Sequence, residues 1–156
     1  MDRPLAESDA SSRVPSRKLT ASARSTVVKE LQDAARSAPD GATIEIDAKD
    51  YPGGVAEWRQ NHLTVRGVGG RPHISADGKS VEERDVWLFS GNDVTVENVE
   101  VSGGRSRANK NGAAIRFISE NLVLRHVYLH DSQNGVMAGN VVLQRSFKPR
   151  QLSKQD

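Results

Sequence analysis

Cysteine is absent from the 156 residues, which excludes disulfides and thiolate metal sites and leaves the compartment unreadable from redox chemistry. Aromatic residues make up only 4%, so a core has to be built from Val, Leu, Ile and Ala, a composition suited to thin stacked strands. No apolar run approaches the length needed to cross a bilayer. The first residues, Met1-Asp2-Arg3-Pro4-Leu5-Ala6, carry no apolar signal-peptide segment. An excess of one charge is missing too: 22 Lys and Arg stand against 20 Asp and Glu, for a formal net charge of +2. That balance argues against a dedicated nucleic-acid or membrane-surface protein, whose basic residues cluster. The surplus gathers near the chain ends, as Arg13, Arg17, Lys18 and Arg24 and as Arg145, Lys148, Arg150 and Lys154, with no interleaved aromatics.

What is present divides the chain into three. Residues 1–24 are rich in Ser, Ala, Arg and Pro without apolar periodicity, the composition of a disordered leader. Residues 25–140 form the foldable domain, and 141–156 form a basic, atypical tail. Over 26–38 the apolar Val27, Val28, Leu31, Ala34 and Ala35 recur at helical spacing, which predicts an amphipathic helix capped by Ser25. Pro39-Asp40-Gly41 ends it, and Thr43-Ile44-Glu45-Ile46 alternates as a strand does.

The informative feature is an internal repeat. At an offset of 28, Trp87 falls on Ile115, Phe89 on Phe117, Val94 on Leu122, Val96 on Leu124, Val99 on Val127 and Val101 on Leu129. An earlier copy beginning at Leu63 matches the one at Val94 at an offset of 31, and a further strand begins at Gly135. Each unit reads apolar, polar, apolar, then a break of phase, then the same again: two short strands joined by a bend. The bend residue is Gly67, Asn98 and His126 in turn, all types enriched at positive φ. Strands stacked about 4.8 Å apart would bring Arg66, Glu97 and Arg125 into an alternating charge ladder. The same stacking predicts one buried column from Val94, Val96, Val99, Val101, Phe117, Leu122, Leu124, Val127 and Leu129.

These segments, with Asn61 to Pro72, Asp93 to Val99 and Asn134-Gly135-Val136, resemble the right-handed parallel β-helix repeat proteins of the pectate-lyase-like superfamily. The resemblance implies an all-β solenoid of about three turns with an N-terminal capping helix. It also implies extracellular or periplasmic work, often on acidic polysaccharides, and some members are lyases while others only bind.

A lyase acting on a uronate polymer needs cations to neutralise the sugar carboxylate and a base for the adjacent proton, often with Ca²⁺. The outward position of the first strand reads Glu45, Leu88, Arg116 and Met137 in successive turns, and of these only Arg116 suits that task. The longest polar insertion, residues 103–112, supplies Arg105, Arg107, Asn109 and Lys110. Together with Arg116 these are the candidate ligand-binding residues, for an acidic polysaccharide. His130 and Asp131 are the other catalytic candidates, as general base or metal ligand. Their adjacency in a strand would send them to opposite faces, and Asp131-Ser132 reads as turn chemistry. His62 and His73 have no ligand partner at useful spacing, so no metal site is assigned, and Ca²⁺ enters only under the lyase reading. No carboxylate pair of the hydrolase type appears. The sequence reading therefore favours a short or truncated noncatalytic module binding carbohydrate or a protein partner, with a polysaccharide lyase as the alternative. The tail from Val141 shows neither alternation nor a capping helix, so self-association through the end near Val136 is expected.

Overall fold

The structure, a computed structural model, describes residues 16–19, 24–108 and 110–138. The expectations placed on Asn109, on the tail 141–156 and on most of the leader lie outside the described residues. One helix, α1 (Arg24–Ser37), and thirteen strands follow in chain order: β1 (Ser16–Leu19), β2 (Thr43–Asp47), β3 (Asp50–Pro52), β4 (Ala56–Trp58), β5 (Thr64–Val68), β6 (His73–Ser75), β7 (Asp85–Phe89), β8 (Val94–Glu97), β9 (Glu100–Ser102), β10 (Ala113–Phe117), β11 (Leu122–Arg125), β12 (Tyr128–His130) and β13 (Asn134–Ala138). The strands form three sheets, ordered β1-β2-β5-β8-β11, β4-β7-β10-β13 and β3-β6-β9-β12. Pairing within each sheet is parallel. From β2 onward the chain visits the sheets in rotation and adds one strand to each before returning, which is the connectivity of a parallel β-helix-like solenoid.

The repeat in the sequence is the hydrogen-bonding register of this stack. Trp87 pairs with Ile115 and Phe89 with Phe117, Val94 with Leu122 and Val96 with Leu124, and Val101 with Leu129. The offset of 31 is equally literal, since Val65 pairs with Val96 and Arg66 with Glu97. Inward positions Ile44, Val65, Val94, Val96, Ile74 and Val101 are fully buried. The few aromatics are spent together: Trp58 and Trp87 meet edge to face at 5.4 Å, and Trp58 stacks on Phe89 at 6.1 Å. The Trp87 indole donates to the Gly54 carbonyl at 3.0 Å, so its polar handle is satisfied.

The predicted charge ladder forms and gains a member at its start. Arg66 donates to Glu45 at 2.7 Å and Arg125 to Glu97 at 2.7 Å, all four residues in register. A second ladder, of side-chain carbonyls, runs along another edge. Asp40 accepts from the Asn61 amide at 3.1 Å, Asn61 from Asn92 at 2.9 Å, and Asn92 from Glu120 at 3.0 Å. Each turn's side chain thus satisfies a backbone donor of the next, which strands alone leave unpaired.

Several sequence expectations need correction. The helix begins at Arg24, so Ser25 lies within it rather than capping it. Its buried face is the expected one, Val27, Leu31, Ala34 and Ala35, and it packs across β3 and β4. Gln60 donates to the Ala35 and Ala38 carbonyls at 2.8 and 3.1 Å, satisfying acceptors that the helix end leaves open. Within the expected disordered leader, Ser16–Leu19 pairs as a strand on β2. Glu45 does not share a column with Arg116. That column runs Glu57, Leu88, Arg116, Met137, because β4, too short to announce itself, supplies the first strand of that sheet. Asn98 and His126 do take left-handed corners, with φ of 55° and 53°, but Gly67 does not. A Cβ there would lie 2.2 Å from the Asn98 carbonyl oxygen, so Gly67 is needed for close approach, while Gly69 and Gly70 make the turn. Finally, Leu122, Leu124, Val127 and Leu129 are only partly buried against the core. They lie on or beside β11 and β12, each the last described strand of its sheet.

Candidate functional site

Two places on this scaffold concentrate chemistry. The first is the polar insertion between β9 and β10. Gln133 holds its two arms together, its Oε1 accepting from the Ser106 and Gly112 amides at 2.8 and 2.7 Å. Ser132 accepts from the Gly104 amide at 2.9 Å. Beneath the loop, Arg116 donates through Nη2 to the Asn111 carbonyl at 2.7 Å and through Nε to both Asp85 carboxylate oxygens at 2.8 and 2.9 Å. Arg116 and Asp85 are both buried. The cation that the sequence singled out for a ligand is therefore neutralised within the fold and acts as a strut under the insertion.

Arg105, Arg107 and Lys110 are exposed on the loop that this strut supports. Arg105 and Arg107 face residues 77–84 across a cleft of about 660 Å³, and Lys79 lines it too. Lys110 lies on the same loop outside the cleft lining. The cleft's other charges are Asp77, Glu82, Glu83 and Arg84, and Arg84 is 3.5 Å from Glu82 and 3.5 Å from Asp85. Lys79, Arg105 and Arg107 have no ion-pair partner among the described residues. No histidine or tyrosine lines the cleft among the described residues. No sequence signal points to Lys79 as a cleft cation, since it sits 26 positions from Arg105 in a turn without a distinguishing motif.

The second place is the outer face of β6, β9 and β12. Successive strands bring His73 beside Glu100 and Ser102 beside His130 in register. The His130 Nε2 lies 2.6 Å from Glu100 Oε2 and its Nδ1 lies 2.9 Å from Asp131 Oδ2. His73 Nε2 is 2.8 Å from Ser102 Oγ and 3.7 Å from Glu100 Oε2. The Tyr128 ring stacks on His130 with centroids 4.3 Å apart. The Glu100 hydrogen bond, then that of Asp131, holds the His130 pKa above its ordinary value, against the opposing effect of burial. The expectation that His130 and Asp131 diverge fails because Asp131 has left the strand: its φ of 53° turns the carboxylate back toward the ring. His73, set aside for want of a partner nearby in sequence, has its partners on the next strand instead. By contrast His62 and His126 stand apart from this group, His62 near Asp93 at 3.4 Å and His126 at a corner. Neither a scan against protein-family models nor searches of curated proteins and of solved structures find a match to this chain.

Proposed function

We propose that the chain is a right-handed parallel β-helix domain of the pectate-lyase-like kind that works as a noncatalytic binding module for acidic carbohydrate. The observation that carries this reading is Arg105 and Arg107 on the loop pinned by Gln133 and Arg116, with Lys79 across the cleft from them: three cations with no ion-pair partner among the described residues, although Asp77, Glu82 and Glu83 line the cleft too. Unpaired cations on a rigid frame bind anions without the ordering cost that a free loop would incur. A string of uronate carboxylates offers the matching charge, and guanidinium groups meet carboxylates with two parallel hydrogen bonds.

Thermal unfolding in the presence of acidic oligosaccharides tests this. Oligogalacturonate should raise the melting temperature, the shift should shrink as salt screens the charges, and Arg105→Ala with Arg107→Ala should remove it. An unchanged melting temperature across acidic glycans, or a shift that survives the double substitution, would overturn the proposal. Growth of ultraviolet absorbance from an unsaturated product, with or without Ca²⁺, would give the chain to the lyase reading instead.

A further inference from the structure

Beyond carbohydrate binding, and independently of it, we propose that His73, Glu100 and His130 form a binding site for a divalent transition metal ion of the zinc class. Their ligating atoms, two imidazole nitrogens and one carboxylate oxygen, lie within 4.8 Å of one another. Two imidazoles and a carboxylate are a donor set suited to zinc-class ions. Bonds of about 2.0 to 2.1 Å in a tetrahedron place donors about 3.3 Å apart. The separations from Glu100 Oε2, 2.6 Å to His130 and 3.7 Å to His73, bracket that value, and the two imidazole nitrogens, within 4.8 Å of each other, close to it by small turns of the side-chain ends.

Three further features distinguish this from a chance meeting of polar side chains. The donors stand on three successive strands of one sheet, whose spacing is fixed by backbone hydrogen bonds; sites on such elements hold geometry better than sites on loops. The Asp131 carboxylate engages His130 Nδ1 and leaves Nε2 aimed at the other donors, the outer-sphere arrangement that fixes the tautomer of a metal-binding histidine. Ser102 differs, since its hydroxyl lies 2.8 Å from His73 Nε2 itself and gives up that hydrogen bond when the nitrogen binds a metal. The side chains of the three donors are each between 24% and 33% exposed, so a metal held there keeps one side toward solvent. Three protein ligands with an open fourth position describe a site that takes water or an anionic oxygen, rather than a closed structural site.

The test uses the full chain without an affinity tag, stripped of metal by a chelator and titrated with Co²⁺ and then Zn²⁺. The expected result is one saturating equivalent, visible Co²⁺ bands of four-coordinate intensity, and their loss as Zn²⁺, the stronger binder, replaces Co²⁺. The melting temperature should climb with metal concentration, since the ion ties three strands in the folded state alone. The chain has four histidines, so ring nitrogen resonances in the unsubstituted protein report directly: Zn²⁺ should move those of His73 and His130 and leave His62 and His126 in place. Asp131→Asn should weaken binding by about 10- to 100-fold, Glu100→Gln and His130→Ala should abolish it, and His62→Ala should not change it. Absence of saturable binding overturns the proposal, as does binding that persists in Glu100→Gln, or Zn²⁺ shifts at His62 or His126 in place of His73 and His130. Should His130→Ala not fold, the resonances and Glu100→Gln still decide.

Discussion

Arg116 and Asp85 show how one side chain's role turns on a partner far away in sequence. A guanidinium and a carboxylate removed from water each lose several kcal/mol of hydration, which their mutual attraction only balances when the hydrogen bonds are complete. Here Nε meets both carboxylate oxygens and Nη2 meets the Asn111 carbonyl. Breaking the pair should therefore cost far more than removing it. Asp85→Asn, which strands a buried cation, should destabilise by about 3 to 5 kcal/mol, whereas Asp85→Leu with Arg116→Met should recover most of that loss. Chemical denaturation of the two variants beside the unsubstituted chain checks this, and equal destabilisation by the single and double changes would contradict it. The sequence could not show this role. It marks Arg116 as an outward position and says nothing of the 31-residue separation from Asp85 or of the insertion lying above it. The histidine cluster was hidden for the same reason. His130 is 30 positions from Glu100, so no local spacing motif exists, and the cluster becomes visible only once the strand register is applied to the outward residues as strictly as to the inward ones.

At the scale of strands, legibility was high where a pattern repeats and poor where an element is too short to carry one. The offsets of 28 and 31 specify pairing because a slip by one residue would turn every inward Val or Leu outward. Three-residue strands such as β4 contain a single alternation, and that is why the first member of the Arg116 column was misplaced. Burial also depends on position along the stack, which a periodic pattern does not encode. Leu63 and Leu124 occupy comparable inward positions, yet Leu63 is 1% exposed in the interior of the stack while Leu124 is only partly buried on the last described strand of its sheet. Leu63→Ala should cost about 2 to 5 kcal/mol, since the cavity is walled on every side. Leu124→Ala should cost less, about 1 to 2 kcal/mol, because water already reaches the site and fills what is removed. Urea titrations of the two variants make the comparison, and a Leu124→Ala loss as large as that of Leu63→Ala would mean that this end of the stack is closed.

The whole molecule has two unlike ends, and the difference follows from how a solenoid spends its apolar surface. At one end α1 lies across β3 and β4 with Leu31 fully buried beneath it, and the core column is sealed. At the other, β11, β12 and β13 are the last described strands of their sheets. Val136 pairs in register with Ile115, which pairs with Trp87; it occupies a core column whose inner members are 0% exposed, yet is itself 45% exposed. Ile118 and Tyr128, the other large exposed apolar side chains among the described residues, lie near the same end. Among the described residues no strand pairs beyond this parallel edge and none covers its apolar column, and such an edge is a template for another chain. A second copy meeting this end would cover both. The chain should accordingly self-associate as concentration rises, through the face around Val136. Sedimentation measured from micromolar to millimolar protein should show the mean mass increasing. Val136→Lys, which puts a charge on the open column, should return the chain toward monomer while changing stability by less than about 1 kcal/mol, because the position is already half in water. A monomer across that range, or an association untouched by Val136→Lys, would place the contact elsewhere or deny it.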